Sequence, residues 1–337
     1  MIYKPTDENM NKMAEFIKNG GIVAIPTETV YGLGANALDI SAVKKIFKVK
    51  GRPSDNPLIV HISKFDDIQK YAVNIPEIAY TLAEKFWPGP FTMILEKNPL
   101  IPDIVTAGLN SVALRFPEHK LTQKLIEKSG VPIAAPSANK SGKPSATCAL
   151  HVQNDFGEEI DGIIDGGMCN YGIESTVISL LNDNKQLLRP GSITVEQLRE
   201  IIPEIIISDA VLNKINTGEK TISPGLKHKH YAPDIKTIGI TGKTDNFVKY
   251  IKNSEYKNKY VICFNDEEEY FSDINCISYG KKENYEQLAQ NLFNSLRLAD
   301  ESDADIIYIH LPNTDGAGFA VYNRLLRACD FNIINFD

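Results

Sequence analysis

The sequence has no apolar run long enough to span a membrane and no paired cysteines. No segment reaches the roughly 18 consecutive apolar residues of a membrane helix, and the N-terminal MIYKPTDENMNKMAEF has no basic region followed by an apolar core. The five cysteines of the chain are scattered without a C-x-x-C pair, which argues against a zinc knuckle and a disulfide framework. We therefore expect a cytoplasmic protein with reduced cysteines and no membrane association.

Positive charge is also scarce. The chain has 36 Lys and Arg against 43 Asp and Glu, a net charge of −7. This balance disfavours a protein whose main task is to grip a nucleic-acid backbone, because that affinity comes largely from cations that neutralise phosphates. We expect no stable direct nucleic-acid binding, although local positive charge could still serve a small anion.

Several common catalytic motifs are missing as well. The sequence contains no P-loop pattern G-x-x-x-x-G-K-[ST], no metal-ligand cluster and no evident nucleophile–base–acid set, and no G-x-G-x-x-G follows a strand predicted near the C-terminus. The sequence pattern alone assigns no metal ligands. These absences exclude the best-known nucleotide sites and leave other designs open.

The length of 337 residues fits two domains. We predict a first domain over residues 1–203, an interdomain linker over 204–233 and a second domain over 234–337. In the second domain predicted strands alternate with predicted helices, which favours a small parallel α/β sheet. The strands are Ile235–Ile240, Tyr260–Phe264 and Ile306–Ile309, and the helices lie near Thr244–Lys252, Tyr285–Ala299 and Ala317–Ala328.

The stretch Gly20–Asp39 organises the first domain. Ile22–Ile25 predicts a buried strand, and Pro26 ends it because proline cannot donate to a ladder. Small polar residues follow at once, in Thr27-Glu28-Thr29. Taken alone, this stretch favours an ordinary strand-to-loop turn. The same logic recurs where the apolar strand ending at Ala135 is followed by P-S-A-N.

Cations and hydroxyls lie at or near other predicted strand ends. On the strand Ser111–Pro117 we expect Arg115 to share a face with Ser111 and Ala113 that is too small and polar to be core. The exposed guanidinium fork would match a carboxylate or phosphate, and a surface salt bridge is the alternative. For His61, ligand contact and core packing weigh about equally. The remaining candidates from the residues alone are Lys50, Arg52, Arg189, Thr29, Ser137, Asn139, Ser145 and Thr176.

Such a set, without a covalent nucleophile, suits a reaction that proceeds by positioning and charge neutralisation. Phosphoryl and nucleotidyl transfer are the main examples. The residues therefore indicate a nucleotide-using transferase. The linker end Ser223–Pro233 adds Lys227, His228, Lys229, His230 and Tyr231, which we predict to close over a phosphorylated ligand rather than to pack in a core. A passive tether is the alternative.

Seven motifs in order carry a family resemblance. They are PTETVYGLG (26–34), KGRPxxNPL (50–58), WPGPFT (87–92), AAPSAN (134–139), ESTV (174–177), LRPG (188–191) and HYAP (230–233). With them, the chain resembles the threonylcarbamoyl-AMP synthase family in its long, two-domain form. The resemblance implies an α/β fold: a twisted mixed sheet with helices around a large basic cavity, called YrdC-like, and a small Rossmann-like parallel α/β C-terminal domain.

The resemblance also implies an activity. The family joins L-threonine, bicarbonate or CO2, and ATP into threonylcarbamoyladenylate and pyrophosphate with Mg²⁺, and a separate tRNA threonylcarbamoyl-transferase complex uses the product. By motif position, the implied catalytic residues are Lys50 and Arg52. The implied threonine-binding residues are Thr29, His61, Arg115, Ala135 and Thr176. The implied ATP-binding residues are Arg52, Asn56, Ser111, Ser137, Asn139, Ser145, Arg189 and Tyr231.

Two alternatives remain open. The carbamoyl-transfer module of hydrogenase maturation has a related fold, but it carries zinc-finger cysteine pairs and an acylphosphatase domain, and this sequence has neither. A double-stranded RNA or tRNA binder could use a basic cavity without catalysis. The net charge of −7 counts against that reading.

Overall fold

The computed structural model describes residues 1–182, 184–214 and 230–336. By its internal contacts the chain divides into two units, one formed by residues 1–141 and 145–227 and the other by 142–144 and 228–337. Much of the predicted linker, including Ser223–Lys229, lies outside the described residues. Each unit is described separately below.

The first unit is built on a twisted mixed sheet, as the resemblance implies. Within the described residues the sheet has twelve strands in the order β1-β9-β2-β3-β8-β4-β7-β6-β10-β11-β12, with β5 paired to β6. The strands are β1 (Ile2–Tyr3), β2 (Val23–Ile25), β3 (Gly32–Asn36), β4 (Ile59–His61), β5 (Ala72–Val73), β6 (Phe91–Lys97), β7 (Ser111–Arg115), β8 (Ile133–Ala135), β9 (Gly162–Ile164), β10 (Thr176–Ser179), β11 (Gln186–Arg189) and β12 (Ile206–Ile207).

Helices surround this sheet. They are α1 (Asp7–Lys18), α2 (Ile40–Lys50), α3 (Ile68–Tyr71), α4 (Glu77–Phe86), α5 (Asp103–Thr106), α6 (Lys120–Ser129), α7 (Ala149–Phe156) and α8 (Val195–Arg199). Helices α1 and α6 share one apolar cluster with β2 and β8, in which Met13, Ile17 and Leu125 are fully buried. Burial of this apolar surface is the main stabilising term for the unit.

Local signals in the sequence explain where several helices begin and end. Asp39 caps α2 by accepting hydrogen bonds from the backbone of Ser41 and Ala42, and Gly51 ends that helix in the left-handed conformation. A capping box formed by Thr194 and Gln197 starts α8. Both helix starts thus follow from side chains that satisfy the free N–H groups of the first turn.

Two predictions for the first unit are wrong. The strand-to-loop turn after Pro26 leads directly into a further strand that was not predicted, because Gly32–Asn36 forms β3 against β2 and β8. The prediction that the face of β7 with Arg115 lies outside the core is also wrong. Ala113 on that face packs with Ile59, Ile94, Val177 and Leu188, so a small side chain here makes room for larger apolar neighbours.

The second unit contains a parallel sheet, as predicted, and within the described residues it has five strands. The strand order is β15-β14-β16-β13-β17, with β13 (Thr237–Thr241), β14 (Lys259–Phe264), β15 (Asn275–Gly280), β16 (Ile306–His310) and β17 (Ile333–Asn335). Its helices are α9 (Thr244–Lys252), α10 (Tyr285–Asp300) and α11 (Gly318–Ala328). Strands β15 and β17 were not predicted.

The expectation that the end of the linker avoids core packing is wrong for Tyr231. Its side chain is only 5% exposed. The ring lies 5.3 Å from the ring of Phe293, and the Arg324 guanidinium lies 5.7 Å from its centre. The aromatic ring makes Tyr231 part of the second unit's packing, whatever else its hydroxyl does.

Candidate active site

One row of residues crosses five neighbouring strands of the first unit. The strand registers pair His61 with Arg115, Arg115 with Thr92, Thr92 with Val177, and Val177 with Arg189. Paired residues on adjacent strands share a face, so the two arginines lie on one side of the sheet, three strand spacings or about 14 Å apart. Hydroxyls extend from Arg189 toward Arg115, because Ser175 Oγ accepts a hydrogen bond from Arg189 and lies 2.7 Å from Oγ1 of Thr92, the residue paired with Arg115.

A second group lies at the opposite end of the same strands. We call this end the Ser111 edge of the site, and the end that carries His61 and Arg115 the Arg115 edge. Ser111 is four residues before Arg115 on β7, about 13 Å away and on the same face. The registers that pair Ile59 with Ala113 and with Ala135 bring the ends of the neighbouring chain segments to this edge. The residues at this edge are Arg52, Asn56, Ser111, Ser137 and Asn139.

The structure thus separates most of the predicted residues into two subsites. His61 and Arg115 of the threonine set lie at one edge, and most of the ATP set lies at the other. Ala135 lies between them. Arg189, which belongs to the ATP set, lies in the row with Arg115 instead.

Arg115 is held by a buried ion pair. Its Nη2 donates to Glu28 Oε1 at 2.6 Å, and the two side chains are only 4% and 3% exposed. Its Nε donates to the Gly89 carbonyl at 3.4 Å, which gives the W-P-G-P turn a role in orienting the guanidinium. The expectation of an exposed guanidinium is therefore wrong, and so is the alternative of a surface salt bridge, because this pair is buried.

Glu28 was not among the predicted site residues. Its second oxygen, Oε2, is buried and has no hydrogen-bond partner in the described part of the chain. An unpaired buried acceptor costs about 1–3 kcal/mol. The sequence signal was its place in T-E-T after a strand end, but the partner Arg115 is 87 residues away.

His61 is a neutral side chain in this site. Burial, and secondarily the positive charge of Arg115, lower the pKa of His61 from 6.5 to about 3. Its Nδ1 lies 3.3 Å from the Ile133 carbonyl oxygen, which can only accept, so Nδ1 carries the proton in this bond. The Nε2 of the neutral ring is then a hydrogen-bond acceptor.

The depressed pKa of His61 makes a prediction about acid stability. Below pH 6.5 the unfolded chain takes up a proton that the folded chain refuses, so stability is lost as pH falls toward 3, by about 1.4 kcal/mol per pH unit. Between pH 6 and pH 4 the wild type should lose about 2 kcal/mol more unfolding free energy than His61→Asn. Urea unfolding at the two pH values measures this. Equal losses would mean that His61 also protonates when folded.

Thr176 and Arg189 hold the L-R-P-G turn to the E-S-T-V segment. The Thr176 hydroxyl donates to the Ile193 carbonyl at 2.8 Å and accepts from its N–H at 3.1 Å. Arg189 Nε donates to the Ser175 carbonyl at 3.0 Å, and its Nη2 to Ser175 Oγ at 3.1 Å. These bonds fix both predicted residues by contacts within the protein.

The two cations predicted as catalytic bind backbone carbonyls. Lys50 is buried, and its ammonium donates to Ser137 O at 2.7 Å and also to Asn139 O, so it shapes the S-A-N loop. Arg52 donates to the carbonyls of Asn56 and Pro57. Both side chains therefore support the edge of the site that carries the ATP set.

The remaining predicted residues lie in three places. Ser145 is buried and donates to Glu174 Oε1 at 2.5 Å. Thr29 is buried in the turn after β2, with its Oγ1 2.8 Å from Thr27 Oγ1. Tyr231 belongs to the second unit. In the first unit, burial raises the pKa of the Cys169 thiol far above its usual range, which makes that cysteine a poor nucleophile.

Among the described residues, no group of three or more His, Cys, Asp or Glu side chains could hold a metal ion. In the same residues no helix is both long and apolar enough to cross a bilayer. Such an arrangement of buried cations and hydroxyls suits a transferase that works by positioning and charge neutralisation.

Comparison with known proteins identifies the family. A family model described as "Telomere recombination" matches residues 15–191, and one described as "Threonylcarbamoyl-AMP synthase, C-terminal domain" matches residues 193–329. The chain belongs to the threonylcarbamoyl-AMP synthase family, and it is an enzyme of the nucleotidyltransferase type that synthesises threonylcarbamoyl-AMP. The resemblance seen in the seven motifs is thereby confirmed.

Relatives match over almost the whole chain. The threonylcarbamoyl-AMP synthase of Pyrococcus abyssi is 45% identical over 328 residues, which is 95% of this chain and 94% of that protein. The synthase of Bacillus subtilis is 42% identical over 332 residues, 97% of this chain and 95% of that protein. The crystal structure of P. abyssi Sua5 complexed with L-threonine matches with a TM-score of 0.93 and 42% identity over 100% of both chains. The predicted fold class is confirmed by this match.

Proposed function

We propose that this chain joins L-threonine, bicarbonate or CO2, and ATP into L-threonylcarbamoyladenylate and pyrophosphate, with threonine at the Arg115 edge of the site and ATP at the Ser111 edge. The observation that supports this most is the separation of the two polar groups along one sheet face. About 13 Å between Ser111 and Arg115 leaves room for the carbamoyl carbon and the α-phosphate between the two ends.

The Arg115 edge suits an amino acid with a hydroxyl. The guanidinium is fixed by Glu28 and Gly89, and Nη1 makes no hydrogen bond to other described residues, so it can receive the threonine carboxylate. The acceptor Nε2 of neutral His61 suits the threonine hydroxyl, which can donate to it. Thr29, Ala135 and Thr176 complete the proposed threonine set.

The Ser111 edge suits a nucleotide. Asn56 is buried, and its Oδ1 has no partner among the described residues, which leaves an acceptor for a base or ribose donor. Hydroxyls of Ser111 and Ser137 lie at the same edge. Lys50 and Arg52 keep positive charge beside them, which favours departure of pyrophosphate. Asn139 belongs to the same group. Ser145, Arg189 and Tyr231 stay in the ATP set that the resemblance implies, although Arg189 lies in the row with Arg115 and Tyr231 belongs to the second unit.

Mg²⁺ enters this proposal together with ATP. Magnesium at nucleotide sites is held mainly by phosphate oxygens and water with one or two carboxylates, which fits the lack of a larger acidic cluster in the described residues. We place the reaction in the cytoplasm. A separate tRNA threonylcarbamoyl-transferase complex would consume the adenylate.

The proposal predicts a strict requirement for all three substrates. Purified protein should release pyrophosphate from ATP only when L-threonine and bicarbonate are both present, because no described residue is placed as a covalent adenylyl acceptor. Coupled pyrophosphate detection measures the release, and mass spectrometry of the nucleotide product measures its identity. Pyrophosphate release from ATP alone would overturn the proposed reaction, and tRNA binding without turnover would favour the RNA-binding alternative.

A further inference from the structure

The carboxylate of Glu28 has one oxygen that the protein does not use. Oε1 takes the hydrogen bond from Arg115 Nη2 at 2.6 Å, whereas Oε2 is buried and has no partner in the described part of the chain. Because the two oxygens belong to one carboxylate, the unused oxygen also lies beside the guanidinium. A buried acceptor without a partner is rare in folded proteins and points to a missing donor.

Neighbouring side chains do not supply that donor. His119 is close enough for the charge of Glu28 to act on it, but its buried Nδ1 also has no hydrogen-bond partner in the described part of the chain, so it does not donate to Oε2. Burial raises the pKa of the Cys169 thiol, so that side chain supplies no charge to the pair. Arg115 is therefore the cation that the structure pairs with Glu28, and it reaches only one of the two carboxylate oxygens.

The backbone around Glu28 holds the carboxylate in place. The Glu28 carbonyl accepts from Tyr171 N at 2.8 Å. The preceding Thr27 hydroxyl bonds to the backbone of Val30, so the turn is fixed on both sides of Glu28. A carboxylate positioned in this way needs little rearrangement when a ligand binds.

The missing donor matches the chemistry of the amino-acid substrate. Threonine carries its ammonium and its carboxylate on one carbon, so a ligand whose carboxylate binds Arg115 brings an ammonium close to the same ion pair. An Arg–Glu pair with one free acceptor is complementary to such a zwitterion. The ammonium must also lose a proton before its nitrogen can attack carbon.

We infer that Glu28 binds the α-ammonium group of the amino-acid substrate through Oε2 and accepts one of its protons. This inference rests on the proposed function. The electron pair freed on nitrogen forms the bond to the carbon of CO2 or bicarbonate. With bicarbonate the second proton leaves with the hydroxyl group as water, and with CO2 it passes to solvent, so that carbamate forms in either case. Glu28 then returns its proton to solvent.

Binding without ATP tests the contact with the ammonium. The probes are L-threonine and its α-hydroxy analogue, in which a hydroxyl replaces the amino group, and the proteins are wild type and Glu28→Gln. Wild type should bind L-threonine about 10-fold more tightly than the analogue, because only L-threonine offers Glu28 a charged donor. Glu28→Gln should lose most of that preference in isothermal titration calorimetry. Glu174→Gln, which alters another buried carboxylate of the same unit, is the matched control and should keep it.

Turnover tests the proton transfer. Glu28→Gln should lower kcat by about 100-fold or more, the usual contribution of a positioned base. Its rate should also continue to rise toward pH 9 and above, where threonine deprotonates in solution. Glu28→Asp keeps a carboxylate and should retain more activity than Glu28→Gln, which also covers the case in which the glutamine variant does not fold.

Equal losses of affinity for both probes in Glu28→Gln and Glu28→Asp would overturn the inference, because a residue that only orients Arg115 would affect both ligands alike. An unchanged pH profile in the variants would contradict the proton transfer. Either result with normal wild-type product formation would leave the proposed reaction intact, whereas failure of the wild type to make the adenylate would contradict that reaction.

Discussion

Replacing Arg115 by leucine is expected to lower the free energy of unfolding by about 3–5 kcal/mol, the usual cost of breaking a buried ion pair from one side. The substitution leaves the Glu28 carboxylate, 3% exposed, without its cation. It also removes the group proposed to bind the threonine carboxylate, so threonine-dependent pyrophosphate release should fall to background. Urea unfolding and the pyrophosphate assay measure the two effects.

A double variant separates the two effects. Arg115→Leu combined with Glu28→Leu removes both charges, and apolar replacement of a buried pair is often neutral or stabilising. The double variant should therefore recover most of the lost unfolding free energy and remain inactive. If Arg115→Leu alone is as stable as wild type, the ion pair does not bear on stability. If the double variant turns over threonine, Arg115 is not the carboxylate partner.

The elements that the sequence predicts well are those with strong local signals. Asp39 marks the start of α2 because its side chain caps the helix directly, and α9 spans the predicted Thr244–Lys252 because its apolar residues recur at helical spacing. Strand β3 was missed because two of its five residues, Gly32 and Gly34, read as a turn. Neighbouring strands require small residues there, since a Cβ at Gly34 would lie 2.8 Å from Ile133 Cγ2.

For a similar reason, the sequence predicts only part of the candidate site. Arg115 and His61 could be proposed from strand ends, since each lies where a predicted strand stops. The role of Glu28 depends on its ion pair with Arg115, which is 87 residues away in the sequence and becomes its neighbour only in the folded chain. The separation into two edges likewise depends on strand register, which is set by pairing between distant segments and not by local pattern.

Tyr231 shows a different limit. Its basic surroundings in the sequence favoured a residue held over a ligand, but the ring packs against Phe293 in the second unit. An aromatic side chain can be chosen for packing and for its hydroxyl at once, and sequence alone does not separate the two.

Replacing Gly191 by alanine is expected to disrupt the candidate site, because the added Cβ would collide with Ser175 and Thr176. A Cβ at this position would lie 2.4 Å from Thr176 N and 2.7 Å from both Ser175 C and Thr176 Oγ1. Two of these three atoms belong to the backbone, so no side-chain rotation relieves the contact. The L-R-P-G turn has to move away from the E-S-T-V segment.

That movement should affect the residues that the turn holds. Thr176 binds Ile193 on the turn, and Arg189 binds Ser175, so a shift strains both sets of hydrogen bonds. We expect a loss of about 1–3 kcal/mol in unfolding free energy from overpacking. Activity should fall about 100-fold, because displacements near 1 Å cost that much in a positioned site.

Gly130→Ala is the matched control. Gly130 has a φ of +68° and nothing within 4 Å of its would-be Cβ, so alanine there strains the backbone without a collision. It should cost about 1–2 kcal/mol of stability and leave turnover unchanged. Differential scanning calorimetry and steady-state kinetics on both variants distinguish the cases. If Gly191→Ala keeps full activity at a temperature where it is folded, the contact between the turn and Thr176 does not position the site.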